Sequence, residues 1–201
     1  MGIGSSSLQF RGAALRQICL MMKNGSMANL AFNEILAEIR RFAATAQDLT
    51  SLQEFSVDLI ALMLPYYNWV GFYMLDPGDE NVLVLGPYHG APTEHVRIPV
   101  AEGICGAAVA QGETVIVEDV SADPRYLACS LETKSEIVVP IRVHRKIVGE
   151  IDIDSHTLNA FGPEDSSFLE ECAAVFGRFL EERSGHLERG AGKAESIPMP
   201  Q

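Results

Sequence analysis

The spacing of apolar and polar positions divides the chain into helical ends and a strand-rich middle. From Asn29, "NLAFNEILAEIRRFAATA" brings Leu30, Ile35, Leu36, Ile39, Phe42 and Ala43 to one helical face, with Asn29 at the N-cap. "SLQEFSVDLIALML" predicts a second helix that stops at Pro65. "NWVGFYMLD" and "NVLVLGPYH" are β-rich runs separated by "PGDE", the pattern of a hairpin. A short strand "HVRIPV" leads to "AEGICGAAVAQG", which is helical in its second half, and "ETVIVEDV" predicts another strand. "SADPRYLACSLETKS" reads as a long loop, and "EIVVPIRVHRKIVGEIDIDS" as a hairpin turning near His144 to Lys146. "PEDSSFLEECAAVFGRFLEE" is an amphipathic helix with Pro163 at its first position, where the missing N–H costs nothing.

Helices at both ends and about six hairpin-joined strands between them predict an α+β domain. Its antiparallel sheet carries the terminal helices on one face, leaving loops and short helices to cover the other. A pocket between sheet and loops is the natural site. The reading assigns 1–28 to an N-terminal extension, 29–183 to a single domain and 184–201 to a disordered tail. The opening residues match the N-myristoylation pattern formally, through Gly2 and Ser6, and weakly resemble a transit peptide; an upstream extension, with Met27 as an alternative start, is the simpler reading.

Composition narrows the partners. A net charge of −12 argues against nucleic acid and an anionic membrane surface, both of which require clustered Lys and Arg, and leaves a small molecule or a protein. No apolar run approaches the roughly 20 residues of a membrane span, and no signal peptide is visible, which favours the cytoplasm. Four cysteines, Cys19, Cys105, Cys129 and Cys172, are too dispersed for a secreted disulfide framework.

Cys172 falls on the helical stripe Phe168, Leu169, Cys172, Val175, Phe176 and Phe179 and reads as a small core residue. Cys105 sits in "GICG", where a helix N-terminus is expected to lower a thiol pKa. Cys129 lies in the long loop, outside any apolar period. Two unrelated buried thiols remain an alternative. A metal site drawing on Cys105, Cys129, His89 and His95 lacks paired-ligand spacing, and nothing singles out a base for a Cys-His hydrolase.

In "EIDID" the strand period points Glu150, Asp152 and Asp154 to one face, opposite Ile151 and Ile153. An exposed face needs no further explanation, least of all for Glu150. If loops cover it, the carboxylates cannot all ionise, and at least one becomes a proton donor near neutral pH. Glu136 begins the partner strand and can join them. Trp69 and Tyr73 share a strand face, as core packing or as an aromatic wall of a pocket.

Taken together, "NWVGFYML", "LGPYHG", "VRIPVAEGICGAAV", "VEDV", "YLACSLETKSEIVVPI" and "GEIDIDS" resemble the GAF-domain free methionine-R-sulfoxide reductases from about Asn29 to Glu182. The resemblance implies an enzyme that reduces free L-methionine-R-sulfoxide by thiol chemistry, with no metal and no bound cofactor, recycled by an external dithiol such as thioredoxin. It implies Cys129 as the attacking cysteine and Cys105 as a resolving one. Glu136, Asp152 and Asp154 correspond to the acidic pocket residues, and Trp69 and Tyr73 to the aromatic lining of the substrate's apolar end. A homodimer is compatible with it. His95 stands where family members commonly carry a further cysteine, so Cys105 alone resolves Cys129, an external thiol does, or the reductase activity is lost and a GAF binding domain with the pocket remains. A ligand-binding GAF module without turnover and a thiol redox sensor are the competing readings.

Overall fold

Helix α1 (Gly25–Ala43) begins before Asn29, so Asn29 lies inside the helix rather than at its cap. The computed structural model describes residues 25–191 apart from 101, 128, 129 and 131, with side chains described over 28–184. Cys19, Cys129, the Gly2 and Ser6 pattern and the tail beyond 191 lie outside the described residues. In α1 the buried stripe is Ala31, Phe32, Ile35, Leu36 and Ile39, while Leu30, expected on it, is 64% exposed. At about 100° per residue Leu30 sits roughly 140° from Ile35, whereas Phe32 sits about 60° away, on its other side. Helix α2 (Leu49–Met63) starts at Asp48, whose carboxylate accepts from the Ser51 N–H at 2.8 Å, a capping box.

Strands β1 (Trp69–Asp76) and β2 (Asp79–His89) form the expected hairpin. Strands β3 (Arg97–Pro99) and β4 (Val115–Val117) are three-residue edges, shorter than their sequence runs, because each pairs on one side only. Helix α3 (Gly103–Gln111) lies between them in sequence. Strands β5 (Ser135–Val143) and β6 (Lys146–Ser155) turn through His144 and Arg145, both at positive φ, the geometry of a two-residue type I′ hairpin. Helix α4 (Pro163–Ala191) continues past Glu182, where the sequence pattern ended it.

The six strands form one antiparallel sheet, as expected, and their order is β3-β2-β1-β6-β5-β4. Side-chain alternation gives the sheet two faces. On one, Val70, Phe72, Ile137, Val139, Ile141, Ile151 and Ile153 pack against α1, α2 and α4 and bury Cys172 completely. On the other, Trp69, Tyr73, Leu83, Ile98 and Val138 pack against α3 through Ile104, Cys105, Ala108 and Val109. The terminal helices and the single helix α3 therefore cover opposite faces. Among the described residues no helix is long and apolar enough to cross a membrane.

Candidate active site

Within the apolar layer on the α3 face, the sheet carries a row of buried acids. Glu150, Asp152 and Asp154 project from β6 toward α3, at 0%, 2% and 3% exposure, while Ile151 and Ile153 fill the opposite core. Glu136, at 4%, lies on β5 directly across from Asp154. On the other side of β6, Trp69 pairs with Asp154, Gly71 with Asp152 and Tyr73 with Glu150. Three adjacent strands thus place Trp69, Asp154 and Glu136 in one cross-strand line.

Helix α3 lowers Cys105 onto this row. Its Sγ lies 3.5 Å from Asp152 Oδ2 and 3.9 Å from Glu136 Oε1. The approach depends on Gly106, where a Cβ would come within 2.7 Å of the Val100 carbonyl oxygen, so the second glycine of "GICG" lets the helix seat against the end of β3. Both oxygens of Glu150, and Asp152 Oδ1, are buried without a hydrogen-bond partner. Buried carboxyls in this state hold protons instead of charge. Burial pushes the Asp152 carboxyl up to about 7. Burial first, and then repulsion from neighbouring carboxylates, pushes Glu136, Glu150 and Asp154 well above the usual carboxylate range.

The aromatic side of the pocket is a stack. The Trp69 and Tyr73 rings stack with centroids 6.3 Å apart at 26°, and Tyr88 stacks on Trp69 at 5.4 Å and 18°. Gly71 makes this possible, because a Cβ there would overlap the Trp69 six-membered ring. The indole N–H donates to the Ala91 carbonyl at 3.1 Å, and the Tyr73 hydroxyl donates to the His95 carbonyl at 2.8 Å. The two aromatics that face the acids therefore also hold down the segment that carries His95.

Comparison with known proteins agrees with this geometry. Residues 31–180 match the GAF domain. The free methionine-R-sulfoxide reductase of Escherichia coli (strain K12) is 36% identical over 152 residues, covering 76% of this chain and 86% of that protein. Protein YtsP of Bacillus subtilis (strain 168) is 46% identical over 117 residues, 58% of this chain and 71% of that one. The crystal structure of the free methionine-R-sulfoxide reductase from Neisseria meningitidis in complex with its substrate superposes with a TM-score of 0.71 at 35% identity, covering 77% of this chain and 91% of that chain. The chain belongs to the GAF-domain free methionine-R-sulfoxide reductase family.

In this GAF-domain reductase, six of the seven residues expected from the sequence lie on the described part of one sheet face or its covering helix: Trp69, Tyr73, Cys105, Glu136, Asp152 and Asp154. The seventh, Cys129, lies outside the described residues. Two expectations are corrected. Glu150 is not on a solvated face, because α3 and the loops close over β6 and bury it completely. The Cys105 thiol is not lowered by its helix N-terminus; burial, followed by the charges of Asp152, Glu150 and Glu136, pushes it well above its usual value. Low-dielectric surroundings and like charges outweigh a half-charge dipole effect.

Tyr88 escaped the sequence reading because it joins the site only through its register opposite Gly71. His89, weighed as a metal ligand, is exposed and its Nδ1 stands 3.7 Å from Asp58 of α2. Among the described residues, those whose ligand atoms do converge are Cys105, Glu136 and Asp152, within 4.8 Å of one another.

Proposed function

We propose that this protein reduces the R epimer of free methionine sulfoxide to methionine, with Cys129 as nucleophile and the buried acids as proton donors. The observation that carries the reading is the row of four buried carboxyls beside a thiol and an aromatic stack. Sulfoxide reduction needs a proton on the departing oxygen at neutral pH, and ordinary surface carboxyls are ionised there. Acids held protonated by burial supply it.

In this reading the Cys129 thiolate attacks the sulfoxide sulfur while a carboxyl protonates the oxygen. The S–O bond breaks, methionine leaves with the electron pair, and the oxygen remains on Cys129 as a sulfenic acid. Cys105 then attacks the sulfenic sulfur, forming the disulfide and releasing water. The nearest acceptor for the Cys105 proton is Asp152 Oδ2. An external dithiol, of which thioredoxin is one, reduces the disulfide by exchange and is itself oxidised. Trp69 and Tyr73 face the substrate's methyl and methylene groups, and the carboxyls balance its ammonium. A carboxyl that meets an ammonium gives up its proton more readily. A site buried beneath α3 favours a free amino acid over a residue inside a chain. The cytoplasm fits a thiol-recycled enzyme of this kind, and a homodimer is compatible with it.

The test is consumption of the two purified epimers by reduced protein in dithiothreitol. Loss of the R epimer with the S epimer untouched, and no reaction in Cys129→Ser, is the expected outcome. Wild-type rates in Cys129→Ser would remove the nucleophile; no consumption of either epimer would leave a ligand-binding module.

A further inference from the structure

We propose that the pocket is also an inhibitory site for zinc, held by Cys105 Sγ, Glu136 and Asp152. The inhibitory consequence rests on the reductase reading above; the binding itself does not.

Geometry carries the assignment. The three ligand-bearing residues come from α3, β5 and β6, so they are fixed by the sheet and by the helix packed on it. In a tetrahedral site with Zn–S near 2.3 Å and Zn–O near 2.1 Å, the sulfur-to-oxygen edges are about 3.6 Å and the oxygen-to-oxygen edge about 3.4 Å. Here the two sulfur-to-oxygen separations are 3.5 and 3.9 Å, and all three ligand atoms lie within 4.8 Å of one another.

A second observation points to a ligand. Nearly all buried polar atoms in native proteins have a partner. Glu150, completely buried one strand step from Asp152 on the same face, has none for either oxygen, and Asp152 Oδ1 has none. A cation held at Cys105 and Asp152 stands beside these atoms and replaces the protons they otherwise hold. The donor set also chooses the ion. A thiolate with two carboxylates and one open position suits zinc, whereas magnesium and calcium take six or more oxygens.

Binding involves no electron transfer. The Cys105 thiol proton and the protons held by the two ligating carboxyls pass to solvent as the Zn–S and Zn–O bonds form. With its sulfur coordinated, Cys105 cannot attack a sulfenic acid, and Glu136 and Asp152 are withdrawn from the substrate. Zinc and methionine sulfoxide thus compete for one set of acids.

Cadmium, which reports its thiolate ligands by a charge-transfer absorption, is titrated into metal-free, reduced, thiol-free protein. One cadmium per chain is expected, competed by zinc and not by magnesium. The band should persist in Cys129→Ser, vanish in Cys105→Ser, and require at least about tenfold more cadmium in Glu136→Gln and Asp152→Asn, with circular dichroism confirming that each variant is folded. A band that survives Cys105→Ser, or depends instead on Cys129 or Cys19, overturns the site, as does the absence of saturable binding. Single-turnover sulfoxide reduction without added thiol should fall in step with zinc occupancy; full activity at saturation overturns the inhibition. Reduction without metal binding refutes this inference alone. Metal binding by a protein that reduces neither epimer refutes the reductase reading and leaves the site standing.

Discussion

Glu136 of β5 and Asp154 of β6 stand directly opposite one another in the sheet, both buried on the face that α3 covers. Directly opposed residues bring their Cβ atoms to about 5 Å, where two carboxylates repel strongly in a dry site. The pair therefore holds protons that exposed carboxylates would have lost, and so do Glu150 and Asp152 beside it.

Folding stability should accordingly decline as pH rises. Each of these acids has a folded pKa above its unfolded value, so the native state binds the proton more tightly. The stabilising contribution is fully present below about pH 4 and, for Asp152, is lost as pH rises through about 7. A shift of that size corresponds to about 4 kcal/mol at most. Urea midpoints measured at pH 5 and pH 8 should fall in the wild type, and fall less in Asp152→Asn, which cannot ionise. An equal drop in both proteins would count against a protonated Asp152.

Gly71→Ala should disturb substrate binding more than folding. The new methyl meets the Trp69 ring and must push it out of its stack with Tyr73 and Tyr88. Overpacking of this kind costs about 1–3 kcal/mol. Because Trp69 is the sole tryptophan, its fluorescence reports the displacement directly. A shifted emission maximum with a raised KM and a nearly unchanged kcat is expected; an unshifted spectrum would mean that the indole does not lie over Gly71.

Cys105→Ser separates resolution from attack. With thioredoxin as reductant, multiple turnover should collapse while the first turnover keeps its amplitude, measured as methionine formed per enzyme in a rapid-mixing experiment. Unchanged recycling would assign resolution to an external thiol.

Cys172→Ala tests the opposite prediction for a core thiol. Cys172 is fully buried among Phe168, Leu169, Val175 and Phe176 in the terminal-helix core. Removing its sulfur leaves a small void, with an expected cost of about 1–2 kcal/mol. Thermal unfolding should occur a few degrees lower, with kcat and KM unaltered. A loss of activity without loss of stability would contradict a purely structural role.

Much of this was legible in the chain. The alternation in "EIDID" identified which residues of β6 share the acid face, and the stripe around Cys172 placed that thiol in the helical core, because both periods follow directly from backbone geometry. The residues that were misread depend on neighbours distant in sequence. Leu30 is apolar yet exposed because α1 docks through Phe32 and Ile35. Tyr88 joins the aromatic stack through the β1–β2 register, which no local pattern of apolar residues specifies.

By itself the sequence determined the α+β class, the antiparallel strands, the two faces of β6 and the set of acids, aromatics and thiols from which a site can be built. Local periodicity and turn chemistry suffice for these. Only the tertiary structure decided that α3 and the loops close over the acid face. That closure buries Glu150, places Cys105 Sγ 3.5 Å from Asp152, and turns a row of ordinary carboxylates into protonated acids. The physical reason is that desolvation and charge repulsion depend on which groups surround a side chain in space, and a strand's own alternation shows which way it points but not what covers it.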